Sequence, residues 1–326
     1  MSEPIRLRDV VEFRNCYFSV VSYFNDRAVK CLLRYVPETI FREVTGKKPE
    51  RSKRRKGYVK LDHEEALNFF REYEKDGIFL LPVKVKVFKP EAVTPALIKK
   101  DETVRKVYEF FSAPVKGVTG SRLIGLNAPT SDVDFVVYGK WFEIARRELK
   151  EGIEKGKLRK LEDDEWKKIY RKRNPPFDFD TFVLHEERKY NRAMVDVCDI
   201  YFDLLYVRDY RELHKYPEFR GKKVGKVVVE GTVTDDSAIF DYPARYPLKD
   251  VKIKYISTSE DVGECEVGEV LSFTHTYAGQ AFRGERIEAY GVLEVHPESS
   301  GVAGKVIVGT RRVSDEYIIS KTLLGL

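Results

Sequence analysis

The sequence predicts an α+β protein in three parts: an α/β N-terminal unit, a central mixed sheet with helices, and a small C-terminal β-barrel or sandwich. Three observations carry this reading. Residues 107–220 mix helical and strand periodicity, a basic stretch at 47–60 breaks up the N-terminal part, and beyond residue 221 short β-type runs alternate with Gly, Pro, Asp and Ser. The expected domains are 1–106, 107–220 and 221–326.

A chain of 326 residues has room for two or three cores, and 42% hydrophobic with 34% charged residues excludes a disordered protein. The net charge of +6 permits a polyanionic partner without demanding one. Four cysteines (Cys16, Cys31, Cys198 and Cys265) without a CxxC pair, and only five histidines, argue against structural zinc. No apolar run is long enough to span a bilayer and no signal core opens the chain, so the expectation is a soluble, cytoplasmic protein with reduced cysteines and no membrane partner. A single glutamine, Gln280, with abundant Lys, Arg and Glu, matches adaptation to high temperature.

In the N-terminal unit, EFRNCYFSVVSYF and AVKCLLRYV read as two strands joined at Asn25-Asp26. TGKKPERSKRRKGYVK follows, a basic stretch suited either to a nucleic-acid backbone or simply to water. Asp62 can cap a helix over EEALNFFREYEKD, FLLPVKVKVF reads as a strand, and DETVRKVYEFF reads as a helix. In the central unit, FVVY is a strand, and WFEIARRELKEGIEKGKLRKL and EDDEWKKIYRKR are helices, the latter stopped by Asn174-Pro175-Pro176. Strands are expected around FDTFVLHEE and VDVCDIYFDLLYV. In the C-terminal unit, GKVVVEGTV, AIFDY, VKIKYIST, GEVLSFTHTY, GERIEAYGVLEV and GKVIVGTRR are β-type runs.

The stretch GSRLIGLNAPTSDVDFVVYG carries the chemistry. Residues i and i+2 of a strand face the same way, so Asp132 and Asp134 project side by side while Val133 and Phe135 face the opposite side. Two adjacent carboxylates raise each other's pKa, a cost that a divalent cation removes, and hard oxygens suit Mg²⁺. Upstream, Gly120 and Ser121 offer open backbone and a hydroxyl at a turn, an arrangement that suits phosphate. The competing reading is a tight turn followed by a solvated strand edge. A third carboxylate is wanted, and Asp203 in the apolar run IYFDLL is the best placed, ahead of Asp196 and Asp199. The alternative reading of Asp203 is a buried acid paired with an arginine.

Gly-Ser, ten residues, then Asp-Val-Asp and an apolar run resembles the signature of the DNA polymerase beta-type nucleotidyltransferase superfamily, in the form seen in CCA-adding and MNT-type enzymes. YFSVVSYFNDRAVKCLLRYVP and SFTHTYAGQAFRGERIEAYGVLE resemble an uncharacterised archaeal group of predicted nucleotidyltransferases. The resemblance implies a polymerase beta-like central sheet, with Gly120, Ser121 and Arg122 on the nucleotide. It further implies Asp132, Asp134 and Asp203 as catalytic ligands of two Mg²⁺ ions, with Mn²⁺ as a substitute. The implied reaction is template-independent transfer of a nucleoside monophosphate from an NTP, ATP as the first choice, to a hydroxyl acceptor. RNA is the first choice of acceptor, a protein hydroxyl (AMPylation) or a small molecule another. A non-catalytic nucleic-acid-binding protein that keeps the fold is the competing class. The segment Glu187-Arg188-Lys189-Tyr190-Asn191-Arg192 reads as a phosphate contact or as a charged turn. In the C-terminal unit Phe273, His275, Tyr277, Gln280, Phe282 and Arg283 either stack on bases of an OB-like platform or, by strand alternation, partly belong to its core.

Overall fold

Tight turns shape the N-terminal sheet. Arg14 (φ 50°) and Asn15 (φ 61°) are both left-handed, which gives the two-residue hairpin that twisted strands favour. They divide EFRNCYFSVVSYF into β1 (Val10–Phe13) and β2 (Cys16–Val20), before β3 (Val29–Pro37) and helix α1 (Glu38–Thr45). Lys56 (φ 48°) and Gly57 (φ 84°) join β4 (Arg54–Arg55) to β5 (Tyr58–Lys60) in the same way. Asp76 and Gly77 join β6 (Glu74–Lys75) to β7 (Ile78–Leu81), and β8 (Lys86–Phe88) completes the set. The sheet runs β4-β5-β3-β2-β1-β8, with β7 also on β3 and β6 on β7. Every pairing in it is antiparallel, so this part is α+β rather than the α/β unit expected.

The computed structural model describes residues 3–195, 200–218, 221–258, 265–298, 301–309 and 315–326. Two compact units emerge: Met1–Lys160 with Asn191–Pro217, and Leu161–Tyr190 with Glu218–Leu326.

Two sequence readings in the first unit need correction. Asp62 does cap α2 (His63–Ala66) through a capping box with Glu65, but the helix stops after one turn. Phe70 turns left-handed (φ 49°) and residues 71–73 form a 3-10 turn. The reason is tertiary. Phe69 is buried and Phe70 also packs on the same core, whereas a continuing helix would hold neighbours about 100° apart. FLLPVKVKVF is two strands, because Pro82 cannot donate to a ladder; β7 pairs with β3 and β8 with β1.

The central sheet is mixed, as expected. Its strands are β9 (Lys116–Val118), β10 (Val133–Tyr138), β11 (Arg192–Val195) and β12 (Ile200–Val207), in the order β11-β12-β10-β9. Only β10 and β12 run parallel. Helices α3 (Pro90–Leu97) and α4 (Glu102–Phe110, capped by Asp101) precede β9. The single turn α5 (Gly120–Leu123) links β9 toward β10, and α6 (Trp141–Glu154) buries Phe142, Ala145 and Leu149.

In the second unit, α7 (Asp163–Arg173) ends at left-handed Asn174, as the Asn-Pro-Pro signal requires. FDTFVLHEE, expected as a strand, is helix α8 (Phe179–Glu187). Asp178 accepts from the Thr181 N–H as its N-cap, and Phe182, His185 and Glu186 are buried at helical spacing. The five strands β13 (Lys222–Val233), β14 (Ala244–Thr258), β15 (Cys265–Ser272), β16 (Arg286–Glu298) and β17 (Gly301–Val308) close a barrel in the order β13-β14-β15-β17-β16 and back to β13. β18 (Tyr317–Ser320) adds to β16. AIFDY, expected as a β-type run, is turn and bend. Val227, Val229, Tyr246, Val270, Ile287 and Leu293 fill the interior.

Candidate active site

The site is a patch of one face of the central sheet, and its layout follows from strand register. β10 and β12 pair so that Val133 lies beside Phe202 and Asp134 beside Asp203. Side chains paired in register share a face, and parallel neighbours lie about 4.8 Å apart. Asp134 and Asp203 are therefore adjacent on one side, while Val133, Phe135, Phe202 and Leu204 are buried on the other. One step back, the Tyr201 hydroxyl donates to Asp132 Oδ2 at 2.9 Å. Burial, then the neighbouring Asp203 and Asp132, push the Tyr201 phenol above its usual range, so it stays protonated and remains a donor.

Gly120 abuts this patch. The Thr119 N–H donates to the Asp134 carbonyl at 2.8 Å, which continues the β9–β10 pairing up to the glycine. Gly120 has φ 67°, and a Cβ there would lie 2.7 Å from Asp134 Oδ2. Only glycine lets the backbone approach the carboxylate this closely. Ser121 follows, facing the Tyr35 hydroxyl of β3. The sequence reading missed Tyr35, since nothing local in AVKCLLRYV marks it. The Thr119 hydroxyl donates to the Arg8 carbonyl at 2.5 Å.

Arg122 is buried. It reaches Asp101 at 2.6 Å, the Ser131 carbonyl at 2.6 Å and the Asp132 carbonyl at 3.2 Å. Ser131 Oγ accepts from the Ala128 N–H, so the loop before Asp132 is tied at both ends. Asp203 is 4% exposed and ion-paired with Arg192 on β11, its register neighbour. The structure thus brings Gly120, Ser121, Asp132, Asp134 and Asp203 onto one patch, while turning Asp203 toward an arginine. Among the described residues, no group of three acidic, His or Cys side chains is close enough to hold a metal. Asp196 and Asp199 lie outside the described residues.

Arg188 pairs with Glu285, and Lys189 with Glu186 and the Thr276 carbonyl. In the C-terminal unit Tyr277 and Gln280 are buried, Phe273 packs against Tyr242, and the Arg188 guanidinium covers the Phe282 ring. Four of the six residues named as stacking candidates are thereby committed to packing. Cys16, Cys31 and Cys265 are free thiols, with burial raising Cys16 to about 12; Cys198 lies outside the described residues. No helix among the described residues is long and apolar enough to cross a membrane.

A glycine-serine turn against paired aspartates on a mixed sheet defines a class. Residues 115–191 match the nucleotidyltransferase domain, and the chain belongs to that family of transferases. Over nearly its whole length it is also similar to an uncharacterized protein of Methanocaldococcus jannaschii, 34% identical over 96% of this chain and 98% of that one. No solved structure matches.

Proposed function

We propose that the protein transfers a nucleoside monophosphate from an NTP, ATP as the first choice, to a hydroxyl acceptor, with RNA as the first choice, and releases pyrophosphate. The observation that best supports this is the register of Asp134 with Asp203, with Gly120 pressed against Asp134. Mg²⁺ is commonly held by one or two carboxylates plus substrate phosphates and water, and the adjacent pair Asp132 and Asp134 fits that donor set. These two would hold the ions, two Mg²⁺ or Mn²⁺, with Asp203 as the third acid. Bound there, a divalent cation would neutralise charge developing on the phosphate oxygens.

The chain's own residues do the positioning. Gly120 and Ser121 present backbone and hydroxyl to the triphosphate. The Tyr201 hydroxyl holds Asp132 by one oxygen, and Arg122 fixes the carbonyls of Ser131 and Asp132. We therefore read Arg122 as holding the loop rather than touching phosphate. Asp203, beside Asp134, would accept the proton of the attacking hydroxyl. The chain divides into three modules, 1–106, 107–220 and 221–326. The barrel's closed strand order, with β15 and β17 as its parallel pair, supports an OB-like reading and with it a nucleic-acid acceptor.

The test incubates protein, each α-labelled NTP, Mg²⁺ or Mn²⁺, and RNA or protein acceptor. The expected result is label on RNA, reduced by about a thousandfold or more in Asp132→Ala/Asp134→Ala. Transfer surviving that double change would sink the site. The Arg192–Asp203 pair favours one second reading, a nucleic-acid-binding protein without turnover. That reading predicts RNA bound and no label moved, while label on protein would redirect the acceptor.

A further inference from the structure

The N-terminal sheet lies outside the residues that match the nucleotidyltransferase domain, yet it meets the glycine-serine loop at three points. The Arg8 carbonyl accepts from Thr119, the Tyr35 hydroxyl faces Ser121, and Lys56 Nζ donates to the Gly125 carbonyl at 2.8 Å. The contact at Tyr35 depends on an irregularity in β3. Its register with β2 passes from Phe18↔Leu33 to Tyr17↔Tyr35, leaving Arg34 as the extra residue. A bulge of this kind re-aims side chains and is frequent beside active sites. Before it, Val29, Cys31 and Leu33 face the N-terminal core; after it, Val36 does, and Tyr35 points away from that core.

The cations near this contact fall into two groups. In the basic hairpin Lys53 pairs with Asp62 and Glu65, and Arg54 with Glu38, so those charges are neutralised within the sheet. Among the described residues Arg55 donates to the carbonyls of Ser52 and Arg54 and pairs with no carboxylate, and Arg34, half-buried at the bulge, has no carboxylate partner either. Arg34 and Arg55, opposed by Asp134, act electrostatically on the Tyr35 hydroxyl that faces Ser121. Arg8, whose carbonyl accepts from Thr119, has a left-handed backbone (φ 72°) and a buried Nε that lacks a partner among the described residues. Half-buried guanidiniums without an ion-pair partner, beside a phosphate-type turn, call for an anion, and planar guanidinium is the geometry that grips phosphate oxygens in pairs.

Building on the nucleotidyltransferase reading, we propose that Arg34 and Arg55 form a second wall of the nucleotide site. They bind the outer phosphates of the incoming triphosphate, while Tyr35 positions Ser121. The N-terminal sheet is then part of the nucleotide site and not a separate RNA-binding appendage.

Binding of inorganic tripolyphosphate without metal, measured by calorimetry, tests the wall independently of turnover. Arg34→Gln and Arg55→Gln should each weaken it about tenfold, with Arg34→Lys recovering part of the loss and melting temperatures near wild type. Two independent positions protect the test against a single folding failure. A short RNA oligonucleotide forms the second arm and should bind all variants alike. Wild-type tripolyphosphate affinity in both Gln variants, no tripolyphosphate binding by the wild type, or losses confined to the RNA arm would overturn the proposal. Label transfer by the wild type with unchanged NTP KM in both variants would overturn the wall and leave the transferase reading standing.

Discussion

Gly120 is where single-atom geometry decides most. Replacing it with alanine puts a Cβ 2.7 Å from Asp134 Oδ2 at a φ of 67°, so backbone and carboxylate cannot both stay. The expected outcome is a folded protein destabilised by about 1–2 kcal/mol in urea unfolding, with transfer lowered by about a hundredfold. Wild-type turnover in Gly120→Ala would mean that the carboxylate need not sit there. Arg192 and Asp203 pose a different question at the same scale. Both are buried, so Arg192→Met leaves a carboxylate without its partner and should cost about 3–5 kcal/mol, whereas Arg192→Met/Asp203→Leu should recover much of that. A single-variant cost below about 1 kcal/mol would show the pair to be solvated.

Helix α8 illustrates what an element contributes beyond its pattern. His185 Nδ1 donates to the Thr181 carbonyl at 2.7 Å, and its Nε2 accepts from the Ser320 N–H at 3.0 Å, so the neutral ring joins helix to β18. Burial, outweighing the helping carbonyl, lowers its pKa from 6.5 to about 4. An unfolded chain takes up the proton below about 6.5 while the folded one resists until about 4. This contribution is therefore complete above pH 6.5 and lost as pH falls through that window, by on the order of 3 kcal/mol. Unfolding curves between pH 7 and pH 4 should show the slope in the wild type and a shallower one in His185→Gln. An equal slope would remove His185 from the account. The helix itself was legible in principle, because Asp178 three residues before Thr181 is a cap signal; the β-type reading followed the aromatic and β-branched residues instead.

At the scale of the molecule the chain leaves its first unit at Lys160 and returns at Asn191. The ends of that excursion are adjacent, since the Met194 N–H donates to the Arg159 carbonyl at 2.9 Å. A short turn can therefore replace residues 161–190. A chain ending at 217 with that replacement should unfold cooperatively on its own. The same chain with 161–190 left in place should bind a hydrophobic dye, because His185 and Lys189 lose Ser320 and Thr276 as partners. Dye binding by the shortened chain would mean that the first unit needs the rest.

Strand periodicity by itself determined that Asp132 and Asp134 share a face, that an apolar strand follows them, and that Gly120 and Ser121 stand at a turn beside them. Those are local facts, carried by spacings of two residues and by glycine. Asp203 was legible as a charge out of place in IYFDLL, but its position beside Asp134 is set by the pairing of strands some seventy residues apart, and the sequence carries no register mark for that pairing. The same holds for Arg192, which the sequence offered as part of a phosphate contact or a charged turn and the sheet turned into the partner of Asp203. Tyr35 and Arg34 were invisible for a related reason: a bulge becomes visible only when the neighbouring strand is in place to count against it. Sequence supplied the chemistry of the loop, and tertiary structure decided which distant side chains share its face, because register and bulges belong to pairs of strands and not to any one of them.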